Sequence, residues 1–172
     1  MSASRDISTR PLNVLFLCTH NAARSILAEP LLNTLGKGRF KAYSAGSEAR
    51  PDGRPHPLTL QALQRAGVDT TGLRSKNRDE FASPDAPHMD LVITVCDNLA
   101  GEVCPVWPGH PATAHWGYPD PSAGDAPDEK KLAAFHQTLE TMRQRIELLC
   151  NLPPEKLAHM TLQTSARELA AQ

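Results

Sequence analysis

Cys18-Thr-His-Asn-Ala-Ala-Arg24-Ser25 has the residue types and spacing of a nucleophile set in an anion cradle. The five residues between cysteine and arginine, Thr19, His20, Asn21, Ala22 and Ala23, are enough to wrap backbone N–H groups around a tetrahedral oxyanion. Arg24 would close the ring with its planar fork. The same N–H field and guanidinium charge favour the thiolate, the attacking species, over the thiol. Ser25 or Asn21 could add a hydrogen bond to the sulfur or fix the loop. A cysteine and an arginine at this spacing recur by chance. What gives the match weight is its placing between a buried strand and a helix.

The elements that would position this loop are legible on either side of it. Residues 13–18 form a continuous apolar run, the pattern of a strand buried on both faces in a parallel sheet. Residues 24–35 put Ile26, Leu27, Leu31 and Leu35 at helical spacing, closed by Gly36. Pro30 falls inside that helix, past its first turn, where it removes a hydrogen bond and should kink it. Residues 40–44 read as a weaker strand, and residues 57–66 as a short helix with proline early and Gly67 after its end. Residues 90–96 form a second strong buried strand, and residues 113–116 a short fourth one. From 128 to 149, Leu132, Phe135, Leu139, Met142, Ile146 and Leu149 step by three and four, marking a long amphipathic helix. The alternation of strand and helix predicts an open parallel four-stranded sheet with helices on both faces, flavodoxin-like, with its ligand site beyond the carboxyl ends of the strands.

The totals narrow the class. A chain of 172 residues has room for one compact domain. We divide it into an N-terminal segment at 1–12, a domain at 13–152 and an appended helical or partly ordered tail at 153–172. With 18 basic and 19 acidic residues, nothing in the balance points to nucleic acid or a membrane surface, so any anion site is local. Residues 1–13 are polar and lack the apolar core of a signal peptide, and no later run approaches membrane-spanning length. A cytoplasmic location is therefore expected. Four cysteines, Cys18, Cys96, Cys104 and Cys150, are too few for a disulfide scaffold. They are better read as chemistry or as core, with Cys150 assigned to core.

Several motifs in order resemble one family. Val14-Leu-Phe-Leu-Cys-Thr-His-Asn-Ala-Ala-Arg-Ser25 followed by Ala28-Glu29, then Tyr43-Ser-Ala-Gly46, resembles the low-molecular-weight tyrosine phosphatase superfamily, and especially its arsenate reductase branch. Residues 90–96, Cys104-Pro105 and His115-Trp-Gly-Tyr-Pro-Asp-Pro121 extend the likeness, which spans roughly residues 13–150. The resemblance implies the low-molecular-weight phosphatase fold, Asp120 as the general acid on the departing oxygen, and a small inorganic substrate, since Ser122 stands where phosphatases tend to carry an aromatic residue. It also implies a relay: Cys18 attacks arsenate, Cys96 attacks the adduct and releases arsenite, and Cys104 carries the disulfide outward to an external dithiol, thioredoxin or glutathione with glutaredoxin. No bound cofactor or metal is expected.

Three rivals remain open on sequence alone. A phosphatase would use Cys18, Arg24 and Asp120 and leave Cys96 and Cys104 idle. An oxyanion sensor would use the loop without turnover, though it would gain nothing from Asp120. Cys96, Cys104, His110 and His115 also read as C-x7-C-x5-H-x4-H, but the first interval is too long for a zinc knuckle. The chain departs from the family's pattern at His20, usually glycine, and at Ala23, a cysteine in many relatives. Some arsenate reductases bind potassium near residues matching Asn21, Glu29 and Ser44. Here Lys76 stands where those enzymes offer a carboxylate, so the lysine is expected to take the cation's place beside Glu29.

Overall fold

A computed structural model describes residues 10–97 and 112–153. The run expected as a doubly buried strand forms β1 (Leu12–Cys18), the loop follows, and α1 (Arg24–Leu35) leads to β2 (Phe40–Gly46). Next come α2 (Pro57–Arg65), a 3-10 turn at Arg78–Phe81, β3 (Leu91–Thr94), β4 (Ala112–His115) and the long α3 (Asp128–Cys150). The four strands make one parallel sheet in the order β2-β1-β3-β4. This is the expected open parallel α/β architecture. Because every pairing is parallel, the carboxyl ends of β1, β2 and β3 lie on one edge, where Cys18, Gly46 and Thr94 stand.

The pleat of β1 sends alternate side chains to opposite faces, and both faces are covered. Val14 and Phe16 point into the main core, which α1, α2 and α3 fill with Leu27, Leu31, Leu63, Phe135, Met142 and Ile146 among others. Leu15 and Leu17 point the other way, into a smaller cluster with Val92, Ala45 and Met89, closed by Tyr43 and Phe81 of the 3-10 turn. That double burial is why residues 13–18 read as unbroken apolar sequence.

α1 continues unbroken through the buried Pro30. α3 buries the six apolar positions expected from its periodicity and adds Thr138, whose hydroxyl donates to the Ala134 carbonyl (2.9 Å) and so carries no unpaired polar group into the core. At the carboxyl end of α3, Arg39 donates to the carbonyls of Cys150 and Leu152, a cation on the negative end of the helix. A second tie closes the start of the sheet. Arg10 forks onto Asp90 through two 2.9 Å bonds, and Asp90 also accepts from the Asn13 amide at 2.8 Å.

Most element ends fall within one residue of expectation, and two strand ends differ by two. β3 stops at Thr94, two residues before Cys96, although the Val95 amide still donates to the Leu17 carbonyl (2.8 Å). β2 runs to Gly46 because its last residues pair with Leu17 and Cys18. Cys104, His110 and the tail beyond 153 lie outside the described residues.

Phe16, fully buried with its ring 6.4 Å from that of Trp116, ties β1 to the segment that carries Asp120. Phe16→Ala is expected to lower unfolding free energy by about 3–5 kcal/mol in urea titrations.

Candidate active site

The loop from Cys18 to Ser25 is held from outside by its carbonyls. Cys18 O accepts from the Ser47 amide (3.3 Å), and Thr19 O from the Glu48 amide (2.8 Å). His20 O accepts from the Ser75 hydroxyl (3.0 Å). Ala22 O accepts from both the His56 amide (2.9 Å) and the Thr59 hydroxyl (2.7 Å). In a planar trans peptide the N–H points opposite to the C=O. Turning these carbonyls outward therefore turns the N–H groups of Thr19, His20, Asn21 and Ala23 inward, toward the mouth of the sulfur. The result is an anion nest built of peptide dipoles.

The sulfur itself has two neighbours. Ser25 Oγ lies 2.8 Å from Cys18 Sγ, and the Asn21 amide donates to the same sulfur at 3.3 Å. Asn21 Nδ2 donates to Ser25 Oγ (2.7 Å), which fixes the serine against the sulfur. Both Ser25 and Asn21 are fully buried, and Cys18 is 2% exposed.

Asn21 takes the left-handed backbone conformation in this loop, at φ +49°. His20, the residue at the family's glycine position, has no positive φ and its side chain is exposed. The turn therefore does not need glycine there. Gly46 is the close approach that does. A Cβ on it would stand 2.5 Å from the Thr19 carbonyl oxygen and 2.9 Å from the Asn21 nitrogen. Only a residue without a side chain lets β2 end against the loop.

Arg24 is buried, and its Nη1 donates to the carbonyl of Tyr118 (3.1 Å). That contact docks the segment after β4 onto the loop. Two residues on, Asp120 is half-buried, and its Oδ1 accepts from the Ser122 amide (2.9 Å) and hydroxyl (2.7 Å). Its other oxygen has no hydrogen-bond partner among the described residues. His56 sits close by, capping α2 by accepting from the Leu58 amide through Nδ1 (3.1 Å) and stacking on Phe135. Burial lowers its pKa below the ordinary histidine range, helped by Arg50 and Lys131 and opposed by Asp120 and Asp128. A neutral ring is what its acceptor role requires.

Cys96 is fully buried, two residues past Thr94, the strand partner of Leu17. The pairing sets it one residue beyond the level of Cys18, on the adjacent strand's path. It is disulfide-bonded, while Cys18 and Cys150 are free thiols. A sulfur in a disulfide is no metal ligand. His115, the other described member of the zinc pattern, instead lies 2.7 Å from Thr94 Oγ1 through Nδ1.

Lys76 lies where the sequence placed it. Its ammonium, 9% exposed as a residue, is 3.6 Å from Glu29 Oε1 and donates to Ser44 Oγ (3.3 Å) and to the Arg74 carbonyl (3.0 Å). Ser44 in turn donates to Glu29 (2.6 Å). Burial lowers the lysine's pKa from its ordinary value, and the Glu29 charge opposes that. The Lys76 amide donates to Asn21 Oδ1 (2.8 Å), so the charged cluster reaches the residue that contacts the sulfur. Nothing local marks Thr59 or Ser75 as loop anchors, because each bonds a residue 37 or 55 positions away.

Residues 13–162 match the model of the low molecular weight phosphotyrosine protein phosphatase family. The chain belongs to this family. An arsenate reductase of Bacillus licheniformis is 34% identical over 78% of this chain and 91% of its own length. Among solved structures, an arsenate reductase from Archaeoglobus fulgidus superposes with a TM-score of 0.65 at 29% identity, covering 81% of this chain and 99% of that one. A thioredoxin-dependent arsenate reductase of Corynebacterium glutamicum superposes with a TM-score of 0.52 at 25% identity, covering 86% of this chain and 71% of its own. No helix of the described residues is long and apolar enough to cross a membrane.

If Lys76 stands in for a bound cation, Lys76→Ala leaves the partly buried Glu29 with the Ser44 hydroxyl but no counter-charge and is expected to lower stability by about 1–3 kcal/mol. Potassium chloride should restore part of that loss in the variant relative to tetramethylammonium chloride at equal ionic strength. The wild type should melt at the same temperature in both salts.

Proposed function

We propose that this protein is an arsenate reductase that works by a relay of three cysteines. The observation that carries the reading is the state of Cys96, a buried sulfur beside the end of β1 that is already in a disulfide in which Cys18 takes no part. A phosphatase of this family needs one thiol. A reductase needs two electrons, and a dithiol supplies them. The names of the relatives support arsenate as substrate, and that of the Corynebacterium glutamicum enzyme supports thioredoxin as donor.

In this reading the N–H groups of residues 19–25 and the Arg24 guanidinium bind arsenate. The Cys18 thiolate, held by Ser25 and Asn21, attacks arsenic. Asp120 gives a proton to the departing oxygen, which leaves as water, and an S–As bond replaces the As–O bond. The Cys96 thiolate then attacks the Cys18 sulfur. An S–S bond forms, the S–As bond breaks, and its electron pair stays on arsenic, which leaves as arsenite. Cys104 attacks Cys96, forming the Cys96–Cys104 disulfide and returning Cys18 as a thiolate. An external dithiol, thioredoxin or the glutathione and glutaredoxin pair, reduces the remaining bond. The protein acts in the cytoplasm, where such donors are kept reduced. Ser122, by holding one oxygen of Asp120, leaves the other to carry the proton, and it offers no aromatic wall for an aryl phosphate.

The test is arsenate-dependent NADPH oxidation coupled through thioredoxin and its reductase, with a glutathione and glutaredoxin mixture run in parallel. Turnover in the wild type that falls at least a hundredfold in both Cys96→Ser and Cys104→Ser is the expected result. Hydrolysis of p-nitrophenyl phosphate that survives both substitutions and is lost in Cys18→Ser, without arsenate turnover from either donor, would make this a phosphatase.

A further inference from the structure

His56 joins the oxyanion loop to α2 through a bond that depends on its own protonation state. Pro57, at the first position of α2, biases the residue before it away from helical geometry, and His56 has ψ 135°. In that conformation its backbone N–H donates to the Ala22 carbonyl (2.9 Å), while its Nδ1 accepts from the Leu58 amide (3.1 Å). Pro57 has no N–H, so the Leu58 amide is the first on α2 that needs a partner, and the imidazole supplies it. Thr59 puts its hydroxyl on the same Ala22 carbonyl (2.7 Å) and its amide on the His56 carbonyl (2.9 Å). Both groups that hold Ala22 therefore belong to one capped turn. The fully buried ring of Phe135, on α3, lies 5.3 Å from the imidazole and backs it.

We propose that His56 is a positioning residue that makes oxyanion binding pH-sensitive: the neutral ring caps α2 and keeps the Ala22 carbonyl turned outward, and the protonated ring releases both. An imidazolium carries hydrogen on both nitrogens and has no lone pair for the Leu58 amide. Two N–H groups would then face each other at the positive end of a helix, where a cation is disfavoured. Burial, Arg50 and Lys131 disfavour the charged ring, and Asp120 and Asp128 favour it; the balance lowers the histidine's pKa from its ordinary value. When the first turn of α2 loosens, the Ala22 carbonyl loses both donors. The N–H of Ala23, on the other side of that peptide, then has no fixed direction in the nest. The other anchors of the loop are the Ser47 and Glu48 amides and the Ser75 hydroxyl, none of which titrates near neutrality. The inference concerns binding, and it holds whether the bound ion is reduced or hydrolysed.

Sulfate is the probe, because its charge does not change across the histidine range. It is titrated calorimetrically into the full chain carrying Cys18→Ser, which removes the thiol's own titration, with His56 intact, with His56→Asn and with His56→Ala. Asparagine is a strong helix cap that does not titrate, so it should rescue what alanine loses. His20 and Asp120 titrate alike in all three chains and cancel in the comparison. The ratio of sulfate affinities, His56 over His56→Asn, should be about one at about pH 7.5 and fall roughly five- to tenfold by about pH 5. His56→Ala should bind more weakly than either at the upper pH. Stability should carry the same sign. A histidine whose pKa is lowered on folding contributes stability that is present above its unfolded value and lost as pH falls through the folded one. The chain with His56 should therefore lose unfolding free energy relative to His56→Asn over that interval. An affinity ratio that stays constant, or that rises on acidification because the imidazolium attracts the anion, would overturn the proposal. So would His56→Ala binding sulfate as tightly as the chain with His56 at the upper pH, since the cap would then not position the loop.

Discussion

The structure is organised by one requirement: the peptide groups after Cys18 must turn their N–H bonds inward, and they do so only because their carbonyls are held outward. Each anchor comes from a different part of the chain. Ser47 and Glu48 follow β2, His56 and Thr59 start α2, and Ser75 precedes the 3-10 turn. A loop of backbone dipoles has no side-chain pattern to enforce its shape, so the surrounding fold must supply it. The sheet does so by ending β1, β2 and β3 on one edge, and Gly46 does so by leaving room for Thr19 and Asn21 to pass. The loop's shape is set at folding, so in the proposed reaction an oxyanion enters a cradle that is already formed.

Asn21 links this loop to a second piece of electrostatics. It contacts the sulfur through its amide, Ser25 through its side-chain nitrogen and Lys76 through its side-chain oxygen. Lys76 is in turn fixed by Glu29, Ser44 and the Arg74 carbonyl. A buried ion pair contributes little net stability, since desolvation offsets most of the attraction. Its value here is positional: the ammonium, a tethered charge, gathers α1, β2 and the segment before the 3-10 turn around one asparagine in a left-handed conformation that most side chains avoid.

Much of this was legible in the sequence, for identifiable reasons. β1 shows as an unbroken apolar run because both of its faces are covered, and α3 shows as a period because only one stripe of it is buried. The Cys18 to Ser25 loop is legible because its chemistry needs fixed residue types at fixed spacing. Other features leave no local trace. The 3-10 turn at Arg78–Phe81 depends on Asn77 accepting from the Asp79 amide, and four residues are too few for a period. The end of β3 before Cys96 is set by where its partner strand stops. Asn21, rather than the residue at the glycine position, takes the positive φ, which becomes visible only once the loop is closed. Thr138 reads as a break in the apolar stripe of α3 until its hydroxyl is seen bonded within the helix.

The central claim is that the oxidising equivalents of one arsenate pass through Cys18 and come to rest away from it. The most direct measurement is a single turnover on fully reduced protein with no external thiol, counting arsenite formed and mapping the remaining thiols by alkylation and mass spectrometry. The account predicts one arsenite per chain and then arrest, with Cys96 and Cys104 protected and Cys18 still open to alkylation. Arsenite formation with all three thiols still reactive, or no arsenite while Cys18 binds the anion, would contradict it.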